Sequence, residues 1–327
     1  MGRGQGTVGA IGLGVVLLAS PAAFGETFRW VDRSGNVRYT DRPPQPDEVQ
    51  PAETSTTAAV VPSPSVQELM ELSGLRQQLE WMAVTTRAQM QLRLGALEAE
   101  ERAAVDRVTA STFGADRLLG LVQESLAGRV DEPTLAQILS WYRTAPARKI
   151  TAAELVAGMP QGQREIAEYA QTRGLQRPEP GRVERLKRLD EVAGTSEFNF
   201  DILVAVADGL RRAVEPYMSM EHRKVMASAD RAAAGARSRV VETLRATTLI
   251  ASEFAYRGVS DGELDAYVAF LSSPSGRVLV GEVHRALLHA VRTTTEEAVV
   301  AIAGIIPPHL WGQARPRPAP DAKPEPL

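Results

Sequence analysis

The sequence predicts a mainly α-helical protein, built as two repeated antiparallel helical units behind a short β-hairpin module and a disordered linker. Three observations carry this. Apolar residues from Val66 to about Gly312 recur at helical spacing. That pattern is self-similar along the chain, at an offset of 120 in its upstream part and 129 further on. The stretches in front of it and behind it are proline-rich and aperiodic, a composition that buries too little surface to offset its ordering entropy.

The 327 residues include 44% hydrophobic side chains, enough for a sizeable core. With 37 basic against 40 acidic groups the formal net charge is −3, so no global field exists to hold a nucleic-acid backbone. The absence of cysteine excludes disulfides, thiolate metal sites, cysteine nucleophiles and a lipid-modified cysteine.

In chain order, residues 1–25 read as a signal peptide. Arg3 precedes the apolar run Val8 to Ala19, and Ala23 and Gly25 are the small residues before a cleavage point ahead of Glu26. The run is too short for a membrane-spanning helix, which favours a cleaved signal and a periplasmic product over an inner-membrane protein anchored by an uncleaved one. No transmembrane anchor is expected.

Residues 26–44 form the hairpin module. Phe28, Trp30, Val37 and Tyr39 alternate with Arg29 and Arg38 around Asp32-Arg33-Ser34-Gly35-Asn36, the pattern of two strands joined by a glycine turn with one aromatic face. An isolated hairpin is marginal in water, so that face packs on the helical body or serves as a platform for a glycan or peptide. Phe28, Trp30 and Tyr39 are the candidate binding surface. The order Phe28-Arg29-Trp30-Val31-Asp32, then Gly35, then Tyr39-Thr40-Asp41-Arg42-Pro43-Pro44 resembles an uncharacterised domain that follows the signal peptides of many Gram-negative envelope proteins. The resemblance implies an envelope location and no known chemistry.

Residues 45–65 read as a disordered linker and 313–327 as a disordered proline-rich tail. Between them lie unit one, 66–172, a linker, 173–183, and unit two, 184–312. Leu135, Ile138, Leu139 and Tyr142 sit at helical spacing, and Leu264, Tyr267, Val268 and Leu271 repeat it 129 positions later. The same offset puts Trp141 on Phe270 and Arg148 on Arg277. Upstream the offset is 120, with Leu69, Leu72, Ser73 and Gly74 facing Leu189, Val192, Ala193 and Gly194.

Ser273 and Pro274 have the chemistry of a helix cap followed by a first-turn proline. The junction Phe270 to Arg277, with its counterpart Trp141 to Ile150, resembles an all-helical bacterial domain of unknown function marked by Phe-Tyr-x-Ser/Thr-Pro-x-Gly-Lys/Arg. The resemblance implies a helical fold and transfers no activity. In unit one the proline is shifted by one and Ala147 replaces the glycine.

No catalytic constellation emerges. Gly258-Val259-Ser260-Asp261-Gly262 matches a nucleophile-elbow pattern, but that motif requires a preceding strand, and here helices flank it. Ser260 with Glu263 reads as a capping box, Gly258 as the end of the helix before it, and Asp131, at Ser260's place in unit one, as a second cap. His284 and His289, five apart, lie about 140° around a helix from each other and cannot share a metal. His222 and His309 lack a partner at ligating spacing, and no cofactor is expected. The sequence therefore points to an exported, non-catalytic interaction module of the cell envelope with an unidentified protein or glycan partner, with a small-ligand or glycan-binding protein as the alternative and a hydrolase behind it.

Overall fold

The computed structural model describes residues 28–31, 37–40, 63–93, 97–173, 179–215 and 220–306, with backbone alone for the first two segments and for 220–236. The expected signal peptide, most of the linker, the proline-rich tail, His309 and the His222 side chain lie outside the described residues.

Strand β1 (Phe28–Val31) pairs antiparallel with β2 (Val37–Thr40), in the register Phe28 with Thr40, Arg29 with Tyr39, Trp30 with Arg38 and Val31 with Val37. Directly paired residues share a face. Positions 28 and 30 therefore lie on one face and position 39 on the other, so this register does not give the single aromatic face expected from alternation. With five residues between Val31 and Val37, even-numbered positions pair with even and odd with odd, which separates 28 and 30 from 39.

The rest is mainly helical. The helices are α1 (Pro64–Leu72), α2 (Leu75–Arg93), α3 (Ala99–Thr112), α4 (Ala115–Leu126), α5 (Glu132–Tyr142), α6 (Ala145–Gly158), α7 (Pro160–Thr172), α8 (Pro180–Ala193), α9 (Thr195–Val214), α10 (Met220–Ala255), α11 (Asp261–Ser272) and α12 (Pro274–Ile305). Among the described residues no helix is long and apolar enough to cross a membrane.

Two expected boundaries move for one reason. Ser63 accepts a hydrogen bond from the Val66 amide and Pro64 opens α1, so the helix begins inside the expected linker. Likewise Pro180 opens α8 four residues ahead of the expected start of unit two. In both places a proline read as a loop residue supplies the fixed φ and missing N–H of a first helical turn. Gly258 does not close α10 with a left-handed turn: the positive-φ residues among those described are Gly74, Gly128 and Gly194. The chain leaves α10 through a turn closed by Val259 N–H donating to the Tyr256 carbonyl.

The two cores each draw on helices from both of the ranges expected as units. One core gathers Leu69, Leu79, Leu118, Val122 and Ile138 of α1, α2, α4 and α5 with Phe198 and Ile202 of α9 and Leu279, Leu287 and Ala290 of α12. The other gathers Leu186 and Leu189 of α8, Ala251 and Phe254 of α10 and Leu264 and Leu271 of α11 with Ile150, Ala157 and Ile166 of α6 and α7. Each unit thus lends helices to the other's core. Full burial of a leucine or isoleucine contributes roughly 1.5–3 kcal/mol, so neither core is complete without the loans. α12 packs on α9, α4 and α3, and it approaches α9 closely at Gly209, where a Cβ would stand 3.0 Å from the Thr295 side chain. Lys149 of α6 reaches Glu263 of α11 at 2.7 Å, and Arg173 after α7 holds the buried Glu253 carboxylate of α10.

Candidate functional site

A cavity of about 190 Å³ opens where the two cores meet. The corner between α1 and α2, the facing corner between α8 and α9, and one side each of α5, α6, α10, α11 and α12 form its wall. Both corners turn on glycines that only a residue without a Cβ adopts readily, Gly74 at φ +72° and Gly194 at φ +62°.

The polar centre of the wall is Glu154. On α6 it follows Ile150 at i+4 and precedes Ala157 at i+3, so the helix period carries a carboxyl group into a buried apolar stripe. Its Oε1 accepts hydrogen bonds from the Tyr256 hydroxyl at 2.6 Å and the Tyr267 hydroxyl at 3.3 Å. Burial pushes the Glu154 carboxyl above the usual range, and the two hydroxyl donors offset part of that shift. Glu154 Oε2 receives no donor among the described residues. Tyr142 also lines the cavity, its side chain more than nine-tenths buried, and its hydroxyl makes no hydrogen bond within the described protein. Burial and the nearby Glu154 raise the pKa of all three tyrosines, which keeps them as neutral donors.

Across the cavity, His284 of α12 stacks on Phe198 of α9, ring centroids 4.1 Å apart. Burial lowers its pKa to about 4, and Asp201 opposes the shift, so the imidazole is neutral at neutral pH. Asp190, near the end of α8, accepts from the Ser196 amide at 3.0 Å and the Ser196 hydroxyl at 2.7 Å, which fixes the α8–α9 corner. Burial raises its carboxyl as well, against those two donors. Neither lysine nor arginine lines the cavity.

The residues singled out from the sequence sit elsewhere. Ser260 caps α11: its hydroxyl accepts from the Glu263 amide and donates to Glu263 Oε2 at 2.8 Å, while the Ser260 amide donates to the same oxygen at 2.7 Å. Lys149 and these Ser260 donors hold the Glu263 carboxyl down to about 2. Asp131 caps α5 through the Thr134 amide at 2.8 Å and the Thr134 hydroxyl at 3.0 Å. Ser273 caps α12 by accepting from the Gly276 amide at 3.1 Å, with Pro274 in the first turn. None of the four lines the cavity, and the described residues contain no hydrogen bond between a serine and a histidine. Of Phe28, Trp30 and Tyr39 only the backbone is described, so the expected binding surface lies outside the described side chains. No group of three or more histidine, aspartate or glutamate side chains with metal-holding geometry occurs among the described residues.

Sequence reading missed Glu154, Tyr142, Tyr256, Tyr267 and His284. One signal was present: Glu154 interrupts an apolar stripe of α6.

A family model described as a domain of unknown function, DUF4124, matches residues 14–68, which is well short of half the chain. The match takes in both strands and the first turn of α1 and stops before the first residue of the cavity wall. No curated protein and no solved structure matches the chain.

Proposed function

We propose that this is an exported envelope protein whose helical body binds a small organic molecule in the central cavity. Export is supported by the short apolar run before Ala23 and Gly25, and by a family match that overlaps the module found behind such signals in envelope proteins. It predicts a mature chain beginning at or near Glu26 and released by osmotic shock. Full-length protein in the membrane fraction would refute it.

The observation that carries ligand binding is a cavity where the two cores meet, with Glu154 Oε2 and the Tyr142 hydroxyl in its wall making no hydrogen bond to a described protein group. A ligand can take up that hydrogen-bonding capacity in place of water. This favours the ligand-binding reading over a plain interaction module, and the absence of a serine–histidine pair among the described residues leaves a hydrolase without support.

The cavity also suits a two-copy body. At offsets of 120 and 129, Ser73 and Ala193, Leu75 and Thr195, Gln78 and Phe198, Tyr142 and Leu271, and Glu154 and Val283 are equivalent positions, and all ten line it. Trp141 and Phe270, equivalent at 129, stack on each other at 4.8 Å. Contact between equivalent residues is what a two-fold relation produces, so we take the body as two divergent copies with the cavity on their axis. In four of these five pairs the polar member belongs to the first copy, Thr195 being the exception, which gives the site its direction.

The test is ligand-observed nuclear magnetic resonance with a set of small organic fragments, against the wild type and Val283→Trp. Fragments are expected to bind the wild type and to be lost from the variant, whose indole fills the cavity without removing a polar group. Binding that is indifferent to this filling would refute the reading.

A further inference from the structure

We infer that the ligand of the central cavity is a small organic cation, a primary amine on a flat apolar body whose ammonium group sits on Glu154; this rests on the ligand-binding reading above. The sign of the charge follows from what faces inward. The ionisable side chains of the wall are two carboxyl groups, Glu154 and Asp190, a neutral imidazole and three tyrosines, with no lysine or arginine to hold an anion. Asp190 is already engaged by both Ser196 donors, whereas Glu154 has one oxygen without a donor.

An ammonium group fits the unfilled positions one by one. It donates to Glu154 Oε2, and it donates to the Tyr142 hydroxyl oxygen, which makes no hydrogen bond within the described protein. It also brings the counter-charge whose absence makes a buried carboxylate costly. The Tyr256 and Tyr267 hydroxyls fix the Glu154 carboxyl group through Oε1, and Tyr142 lines the same cavity. Size sets the body: a cavity of about 150 Å³ accepts benzene, and this one measures about 190 Å³, so a single ring with a short aminoalkyl arm fills it.

Isothermal titration of the full chain with benzylamine, benzyl alcohol and benzoate compares three molecules of one shape and three charges. Benzylamine is expected to bind roughly tenfold or more tightly than benzyl alcohol, and benzoate not at all. Glu154→Gln, which keeps the volume and an acceptor, should bring benzylamine down to the level of the alcohol while leaving the alcohol within about twofold. Tyr142→Phe should lower the preference for the amine by a smaller factor. Equal binding of amine and alcohol to the wild type, or binding of benzoate, would overturn the inference and leave the cavity reading standing. Failure of all three to bind would remove both. Should Glu154→Gln not fold, the wild-type ranking and Tyr142→Phe decide.

Discussion

Gly276 is where a single hydrogen atom decides the geometry. It stands at the third position of α12, and a Cβ there would lie 2.0 Å from the Phe270 carbonyl oxygen and 2.7 Å from the Leu271 Cα. Both neighbours are backbone, so neither can swing aside. The third position of α6 is Ala147, which is buried and accommodated. The difference lies one residue upstream. Ser273 serves at once as the end of α11 and the cap of α12, whereas Arg143 ends α5 and Thr144 separately caps α6, which widens the corner. Gly276→Ala should therefore destabilise the protein by roughly 1–3 kcal/mol or more, the range of an overpacked core. Ala147→Gly should cost no more than about 1 kcal/mol, the helix-propensity difference. Chemical denaturation of both variants checks this, and equal losses would mean that the corner has no special need for glycine.

The same corner recurs between elements, and it explains how much of the fold could be read without coordinates. Met159 is the shared cap of α6 and α7, Pro160 follows it, and Gly162 presses on the Val156 carbonyl as Gly276 presses on that of Phe270. Arg148 and Arg277 each donate back to the carbonyl five residues earlier, of Arg143 and Ser272. Helix identity was legible because the apolar period of 3.6 is local, and so were the starts of α5, α11 and α12, because Asp131, Ser260 and Ser273 announce themselves by chemistry within three residues. The starts of α1 and α8 were hidden because Pro64 and Pro180 lie in proline-rich stretches that resemble loops. The cavity was hidden for a different reason. Glu154 on α6, Tyr256 in the turn after α10 and Tyr267 on α11 are up to 113 residues apart, and nothing in a local pattern says that their hydroxyl and carboxyl groups converge.

On the scale of the whole molecule, the exchange of helices between the cores makes the two units interdependent. Residues 63–173 alone would keep α1, α2, α4 and α5 but lose the α9 and α12 side chains that complete their core, including Phe198, Leu279 and Leu287. They would also uncover Ile150, Ala157 and Ile166, whose core is completed by α8, α10 and α11. Residues 179–306 alone would expose the inward stripe of α12 in turn. A core stripped of several residues worth roughly 1.5–3 kcal/mol each has lost about as much as the 5–15 kcal/mol that stabilises an ordinary domain. Each half by itself is therefore expected to unfold without a cooperative transition and to expose apolar surface to a reporter dye. The two halves mixed should recover a single sharp transition and an equimolar complex, because the contacts between them are those of a domain interior rather than of two docked surfaces. Ultracentrifugation and thermal melts of the halves, separate and mixed, measure this directly. Two independently cooperative monomers that ignore each other would show that each core closes on its own, and the shared cavity between them would lose its structural basis.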